Sequence, residues 1–216
     1  MLRSSRAANS RGVTLLRRGL SSHPQTVVVG GGIVGASAAY HLARAGRRVI
    51  VLEQNTLTSG STWHAAGLVA ALKGHEAMVG MAQYSRALFE RAVDNEGNNL
   101  VGWAQTGSLG LARSPDMWTQ LLRSTQLLKD FDIPHTLYAA DPTTHGLPGD
   151  VRPMSEARLI HPLMELEENG IIGAVHTPGD GIVNPADACM EMVRLARRAG
   201  ARFVERCGVD EIQTAT

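Results

Sequence analysis

Residues 26–54, TVVVGGGIVGASAAYHLARAGRRVIVLEQ, constrain the fold of this chain more than any other stretch. The valine run at 27–29 has no polar alternation, which predicts a strand covered on both faces. The next residues form a G-x-G-x-x-G turn, with its glycines at Gly30, Gly32 and Gly35. An alanine-rich helical stretch follows, and a second strand at 49–52 leads to Glu53. This order predicts a parallel βαβ unit.

The glycine turn and Glu53 together predict a bound dinucleotide. A pyrophosphate has to approach the backbone N–H groups at the start of the helix, and a Cβ atom at Gly30 or Gly32 would obstruct it. A carboxylate at the end of the second strand accepts hydrogen bonds from a ribose. Many glycine turns do no more than turn the chain, but here every element occurs in the required order. NAD and FAD both contain the adenine dinucleotide that this motif binds, so the motif does not distinguish between the two cofactors.

The segment after Glu53 favours FAD over NAD. In a nicotinamide domain the next element is normally a helix that returns to a third strand, whereas 54–60 is typical of a loop. The loop runs into SGSTWHAAGL, where Trp63 and His64 stand among small residues. Without further information, a histidine in such a loop is more often a packed or capping residue than a ligand. An NAD-linked dehydrogenase leaves this segment unexplained.

Composition argues against several other classes of protein. The 216 residues have a formal net charge of +1, which does not indicate a nucleic-acid-binding protein. No run of about 18 apolar residues suggests a membrane span. Cys189 and Cys207 have no partner at metal-ligand spacing and are expected to be free thiols. Four histidines are irregularly spaced: His135, His145, His161 and His176. Because no carboxylate or thiol is in register with them, we expect no metal site.

The first 22 residues predict a mitochondrial presequence. They are rich in arginine and serine, contain no acidic residue, and place their leucines so that a helix would be amphipathic. Arg17 and Arg18 interrupt the apolar run that a secretory signal needs. We therefore exclude 1–22 from the fold and expect its removal after import. The alternative is a basic tail without a targeting role.

Periodicity in the remaining chain predicts helices at 75–93 and 115–130. In the first of these, a set of apolar residues recurs at helical spacing and indicates a buried face: Met78, Met81, Ala82, Leu88 and Phe89.

Three segments resemble the mitochondrial dimethylglycine and sarcosine dehydrogenase group of the D-amino-acid-oxidase-like FAD-dependent oxidoreductase family. The first is GGGIVG with VIVLEQ, and the second is LTSGSTWHAAGL at 57–68. The third, DGIVNPADACMEMVRLARRAGARF at 180–203, resembles the family's Asp-Gly-x-x-x-Pro segment with its returning helix. Between them, GWAQTGSLGLA at 102–112 resembles the strand pair that begins the family's substrate domain.

The resemblance implies an α/β fold, with a Rossmann-like FAD-binding domain and a partial antiparallel-sheet substrate domain. The FAD-binding domain is expected to be discontinuous, at 24–72 and 180–216, and the substrate domain to occupy 73–179. A further strand is expected at 209–212, where Val209 would offer its backbone to adenine. Because the relatives are longer, we expect this chain to be the N-terminal part of a larger enzyme or a truncated form of one.

The resemblance also implies the cofactor contacts. His64 matches the histidine that bonds covalently to the flavin in those dehydrogenases, so covalently bound FAD is expected there. A neutral imidazole is a good nucleophile for the flavin 8-methyl carbon. Trp63 is expected either beside the flavin or as a core anchor. The full set of expected contacts is Gly30, Gly32, Gly35, Glu53, Gln54, Ser61, Thr62, His64, Ala66, Gly67 and Val209.

The implied activity is oxidation of the N-methyl group of a small amino acid, of the sarcosine or dimethylglycine type, by hydride transfer to the flavin. An electron-transfer flavoprotein is the expected acceptor, folate is a possible partner of a longer protein, and the mitochondrial matrix is the expected location. The alternatives are a noncatalytic flavin-domain protein, similar to the regulatory subunit of pyruvate dehydrogenase phosphatase, or an inactive fragment. The pair Trp63 and His64 favours the enzyme, because a regulator needs no covalent flavin.

Overall fold

The computed structural model describes residues 26–143, 150–163 and 170–213. The predicted presequence at 1–22 and His145 lie outside these residues. The helices in the described ranges are α1 (Ile33–Arg44), α2 (Glu76–Glu90), α3 (Pro115–Asp130), α4 (Met154–Ala157) and α5 (Pro185–Arg198). The strands are β1 (Thr26–Val29), β2 (Val49–Leu52), β3 (Leu68–Val69), β4 (Ser108–Ala112), β5 (Thr136–Ala139), β6 (Val151–Pro153), β7 (Gly173–Thr177), β8 (Gly181–Ile182) and β9 (Arg202–Val204).

The chain divides into two compact units. Within the described residues, the first unit consists of 26–66 and 184–213, and the second consists of 67–143, 150–163 and 170–183. That these units are the flavin and substrate domains expected from the sequence stays a prediction.

A parallel sheet in the order β1-β2-β9 forms the centre of the first unit. Thr26 pairs with Val49, and Ile50 pairs with Arg202, so the last strand returns beside the first two. Helices α1 and α5 pack on this sheet through small side chains: Ala39, Ala43, Val49, Val51, Ala196 and Ala201. The predicted βαβ unit and the predicted return of the 180–203 segment are therefore confirmed.

Strand β1 differs from the sequence expectation. It lies at the edge of the sheet, where successive side chains point to opposite faces. Val28 packs towards the helices, whereas Val27 and Val29 point to the other face and are 50% and 59% exposed. The interpretation that both faces are covered was wrong, because a short all-valine run does not distinguish a central strand from an edge strand.

The segment after β9 also differs from expectation. No strand forms at 209–212, and the chain turns at Arg206, which has a φ of 54°. The N–H groups of Arg206 and Cys207 instead donate to the carbonyls of Asn55 and Glu53 in the loop after β2. The backbone that would continue a sheet is thus used to hold that loop.

Two sheets organise the second unit. One has the order β4-β7-β5-β6, with β5 and β6 parallel and the other pairs antiparallel, and β3 pairs with β8 in a small antiparallel sheet. One core cluster joins Val79, Leu128 and Val175. The predicted buried face of α2 was wrong at Met78 and Met81, which are 49% and 61% exposed, whereas Ala82, Leu88 and Phe89 are half-buried. The fully buried residue of this helix is Val79. Neighbouring helical residues differ by about 100° in direction, so a shift of one position moves the buried stripe.

The aspartate of the Asp-Gly-x-x-x-Pro segment fastens three parts of the second unit together. Asp180 is 2% exposed, and its carboxylate accepts hydrogen bonds from the Ala71 N–H at 2.9 Å and from the Ser108 hydroxyl at 2.5 Å. A Cβ atom at Gly181 would lie 2.3 Å from the Ala104 carbonyl oxygen, so only glycine fits beside Asp180.

Across the described ranges, no helix has the length and apolar character needed to cross a membrane.

Candidate cofactor site

The glycine turn brings the start of α1 against the end of β1. Gly30 has a φ of +102°, a conformation that glycine adopts at little cost. A Cβ atom at Gly35 would lie 2.0 Å from the Gly30 carbonyl oxygen, so only glycine allows this packing. Gly32 is the N-cap residue of α1 and has no side chain to occupy the space before the helix. Each of the three glycines is therefore required for a different structural reason, as the G-x-G-x-x-G pattern predicts.

The N-terminus of α1 provides donors for an anion. The first N–H groups of a helix have no intrahelical partner, and the aligned peptide dipoles place roughly half a positive charge there. The first turn of α1 contains no acidic residue. The Ile33 N–H donates to Thr62 Oγ1 at 3.0 Å, and Thr62 is 7% exposed. This contact positions Thr62 beside the start of the helix, where a bound phosphate finds backbone donors.

Glu53 lies at the carboxyl end of β2 and links two parts of the site. Its Oε2 accepts a hydrogen bond from the Gly31 N–H at 2.7 Å, and its Oε1 accepts one from the Asn55 N–H at 2.8 Å. An ionised carboxylate offers about four acceptor positions, so each oxygen retains capacity for a ligand hydroxyl. Glu53 thus holds the glycine turn and the following loop in place while it remains able to bind a ribose.

A second carboxylate, which the sequence analysis did not identify, holds the loop after Glu53. Glu205 follows β9, and its Oε1 accepts a hydrogen bond from the Leu57 N–H at 2.7 Å. The Leu57 side chain lies over Gly31, where a Cβ atom would approach its Cδ2 to 2.5 Å. The chain after β9 therefore supports the loop that faces the glycine turn. Only the pairing of β2 with β9 brings Glu205 there, so no local sequence pattern signals this role.

A cavity of about 520 Å³ lies at this end of the first unit. Its volume is within the usual range for small-molecule sites. Seven of the expected cofactor residues line it: Gly30, Gly32, Gly35, Glu53, Gln54, Ser61 and Thr62. Other lining residues were not among the expected contacts, and they include Ile33, Asn55, Thr58, Ser59 and Ala65. Most of these lie on the loop at 54–65, whose first part, 54–60, is the loop that the sequence predicts.

Four expected contacts do not line this cavity. They are His64, Ala66, Gly67 and Val209. His64 and Ala66 are exposed at the end of the same loop, and Gly67 begins the second unit. Trp63 is 68% exposed, so the core-anchor reading does not hold for it. Val209 is 38% exposed on the irregular segment that replaces the expected strand.

Both cysteines are free thiols, as the sequence predicts. Cys189 lies on α5 directly under the glycine turn, with its Sγ 3.6 Å from the Gly31 carbonyl oxygen. Burial raises the pKa of Cys189 to about 11, so the thiol stays protonated at neutral pH. A protonated thiol donates weakly to that carbonyl and is a poor nucleophile. Cys189 therefore packs under the turn as a protonated thiol.

The histidines of the second unit that the structure describes form no common site. Burial lowers the pKa of His176, and the nearby charge of Asp180 partly opposes that change, so His176 is neutral at pH 7. His135 Nδ1 lies 2.9 Å from the Ile133 carbonyl oxygen. Among the described residues, no group of three or more His, Cys, Asp or Glu side chains is arranged to hold a metal ion.

The role of Glu205 is testable by amide hydrogen exchange. Glu205→Ala removes the acceptor of the Leu57 N–H, so we expect that amide to exchange about tenfold faster, the effect of losing roughly 1.4 kcal/mol of hydrogen bonding. Glu205→Gln retains a side-chain oxygen and is expected to preserve most of the protection. Glu211→Ala, which alters an exposed carboxylate of the same unit, serves as the control. Unchanged Leu57 exchange in Glu205→Ala would show that this contact does not hold the loop.

Comparisons with known proteins agree with this geometry. A family model described as DAO, FAD dependent oxidoreductase, matches residues 25–216. Human mitochondrial sarcosine dehydrogenase is 31% identical over 92% of this chain, and rat mitochondrial dimethylglycine dehydrogenase is 32% identical over 86% of it. The chain spans about a fifth of the length of these two relatives, 20% and 21% respectively.

A solved structure extends the comparison to the fold. The crystal structure of L-proline dehydrogenase from P. horikoshii superimposes with a TM-score of 0.69 and 27% identity. The match covers 87% of this chain and 45% of that protein. The glycine turn, the carboxylate at the end of β2 and the match over residues 25–216 lead to one conclusion: the chain belongs to the DAO family of FAD-dependent oxidoreductases.

Proposed function

We propose that this chain forms the cofactor-binding part of an oxidoreductase that removes hydride from the N-methyl group of a small amino acid of the sarcosine or dimethylglycine type. The observation that carries the proposal is one cavity in which the glycine turn, the start of α1 and Glu53 meet. Support for the substrate class comes from relatives named sarcosine and dimethylglycine dehydrogenase.

The residues of the cavity suit the adenine-dinucleotide half of FAD. The N-terminus of α1 would hold the pyrophosphate, because its N–H groups and dipole favour an anion and Gly32 presents no side chain. Glu53 would hold the adenosine ribose with the acceptor capacity that Gly31 and Asn55 leave free. FAD supplies the hydride acceptor when bound. The hydroxyls of Ser61 and Thr62 would orient the chain that leads from the pyrophosphate towards the flavin ring.

His64 would anchor the flavin by a covalent bond between an imidazole nitrogen and the 8-methyl carbon. The methyl group would lose a C–H proton and the imidazole its N–H proton, the electron pair of the broken C–H bond would reduce the flavin ring, and the electron-transfer flavoprotein would reoxidise it. The neighbouring residues Ser61, Thr62 and Ala65 line the cavity, and His64 itself is exposed. Ala66 and Gly67 would leave room for a flat ring system, and Val209 would meet adenine through its backbone.

The proposal includes partners and a location. An electron-transfer flavoprotein would accept the electrons, and folate would capture the one-carbon product in a longer form of the protein. The matrix is the proposed compartment, with residues 1–22 removed on import. Support comes from the arginine- and serine-rich, acid-free composition of this segment, which is typical of a presequence, and from the mitochondrial names of the relatives.

Anaerobic reduction of the bound flavin tests the activity. The FAD-loaded chain is mixed with sarcosine, dimethylglycine or glycine, and we expect the N-methylated amino acids to bleach the oxidised flavin absorbance while glycine does not. Bleaching by dithionite alone would identify a bound but noncatalytic flavin, as in the regulatory alternative. That result would contradict the proposed oxidation by this chain.

Glu53→Gln tests the ribose contact. The substitution removes the negative charge and one acceptor, and hydrogen bonds to charged groups are worth about 1.5 to 3 kcal/mol, so the Kd for FAD is expected to rise by roughly tenfold to a hundredfold. Titration of FAD fluorescence quenching measures the Kd. Glu211→Gln removes a carboxylate outside the cavity and should leave the Kd unchanged. Equal affinity of the parent and Glu53→Gln would rule out the assignment of Glu53.

His64→Ala tests the covalent bond. The parent denatured in acid is expected to keep its yellow colour, and the tryptic peptide between Arg48 and Lys73 is expected to carry the mass of FAD. In His64→Ala the flavin should bind, because the glycine turn and Glu53 remain, but it should be fully extracted on denaturation. His161→Ala, which changes an exposed histidine of the second unit, is the control. Complete release of flavin from the denatured parent would eliminate the covalent role.

A further inference from the structure

Helix α2 turns polar side chains towards the core of the second unit. The residues on its inward side recur at helical spacing and are Val79, Gln83, Arg86 and Glu90. Val79 is fully buried, Gln83 Nε2 is buried, and Arg86 Nε donates to Glu90 Oε1 at 2.9 Å. A Cβ atom at Gly179 would lie 2.5 Å from Arg86 Nη1, so this guanidinium group packs against the turn after β7.

The outward side of α2 is apolar. We define its apolar stripe as Ala77, Met81, Tyr84 and Leu88. Met81 and Tyr84, at the centre of the stripe, are 61% and 49% exposed, Ala77 is exposed and Leu88 is half-buried. The only charged residue between 77 and 88 is Arg86, which faces inward. A surface helix ordinarily has its apolar side inward and its polar side outward, so the orientation of α2 indicates that a partner covers the stripe.

The exposed apolar area is that of a small interface. Met78 borders the stripe and is 49% exposed. Together with Met81 and Tyr84 it presents roughly 300 Å², since each of the three is about half exposed and a side chain of this size has about 200 Å² of surface. The Ser85 hydroxyl, which also borders the stripe, donates to the Met81 carbonyl at 2.8 Å and needs no partner outside the helix. Exposed apolar patches of this size are often functional.

The spacing of the stripe is that of a seam between two helices. Its members are four, three and four residues apart, which is the spacing of the a and d positions of a coiled coil. In a pair related by a twofold axis, residue i of one copy meets residue j of the other, and j meets i. An axis midway between Met81 and Tyr84 places Met81 opposite Tyr84, and Ala77 opposite Leu88, in both directions.

These pairs also match in chemistry and size. Methionine sulfur makes favourable contacts with aromatic rings, and a twofold pair contains two contacts between Met81 and Tyr84. The small Ala77 leaves room for the larger Leu88, so the helices can approach each other along the whole stripe. Arg91 follows the stripe at the same spacing and meets the first turn of the second helix, whose acidic residue is Glu76. Opposite charges therefore meet at each end of the pair.

We propose that the apolar stripe of α2 is a contact between two copies of this chain, whose α2 helices pair antiparallel about a twofold axis. The second copy is the occupant because the stripe complements itself in spacing, in side-chain size and in terminal charge. No stripe residue lines the cofactor cavity, so pairing and FAD binding use separate residues. Because the patch is smaller than the roughly 800 Å² that each partner contributes to a standard interface, we expect a weak dimer with a Kd on the order of 10–100 µM.

Sedimentation velocity of the full 216-residue chain tests the pairing. Between about 2 µM and about 500 µM, which brackets the expected Kd, the weight-average mass should rise from the 23.1 kDa of the monomer towards twice that value. Met81→Glu places a carboxylate beside Tyr84 of the second copy and is expected to weaken association at least tenfold. Met190→Glu is the matched control, because Met190 is a 43% exposed methionine on α5, and it should associate as the parent does. Far-UV circular dichroism of both variants should match that of the parent.

Disulfide cross-linking tests the antiparallel register. In A77C/L88C, each new cysteine meets the other new cysteine of the second copy, so mild oxidation is expected to give a covalent dimer. Each single substitution leaves the two equivalent cysteines about 16 Å apart along the helix axes, at 1.5 Å per residue, and should not cross-link. The free thiols of Cys189 and Cys207 are present in every variant, so the oxidised parent measures their contribution.

Three results overturn the proposal. The first is a parent that stays at 23.1 kDa over the whole concentration range, as expected if the stripe packs against a further segment of a longer protein. The second is association that weakens as much in Met190→Glu as in Met81→Glu. The third is cross-linking of either single variant as strong as that of A77C/L88C. FAD affinity, measured in parallel, is not expected to change in the two glutamate variants.

Discussion

The close approach of α1 to the end of β1 is the constraint on which the site depends. With no Cβ at Gly35, the helix can pack where a side chain would meet the Gly30 carbonyl oxygen at 2.0 Å. From that position the Gly31 N–H reaches Glu53, and the Ile33 N–H reaches Thr62. The absence of a Cβ atom at Gly35 therefore determines where the N-terminus of α1, the Glu53 carboxylate and the loop that contains Thr62 meet.

The far wall of the cavity depends on a second segment of the chain. The N–H groups of Arg206 and Cys207 and the carboxylate of Glu205 together hold the loop after β2 at three points. Because β9 is parallel to β2, its end is at the same edge as the glycine turn. Residues near 55 and near 205 therefore act as one structure, and neither part of the chain forms this wall alone.

The elements that form along the chain were predictable from the sequence, but the surroundings of each element in the folded unit were not. The glycine turn, the second strand and the returning helix each have a signal within about 20 residues, and all are present. Exposure of Val27, Val29 and Met78 depends on what lies beside a strand or helix, which no local period encodes. The same reason applies at the site: Glu53 follows directly from its position after β2, whereas Glu205 becomes relevant only through a pairing across the sheet. His64 was singled out by resemblance to a family, and it lies exposed next to residues that line the cavity.

Backbone strain in the loop connects these contacts to ligand binding. Thr58 lines the cavity with a φ of 71°, a conformation that costs a non-glycine residue on the order of 1 kcal/mol. The Ser59 hydroxyl bonds to the Thr56 carbonyl, and the adjacent Leu57 N–H bonds to Glu205, so the turn is held on both sides of Thr58. These bonds offset the strain before any ligand arrives. A dinucleotide that enters the cavity consequently meets a wall that is already formed, and its binding does not have to order the loop.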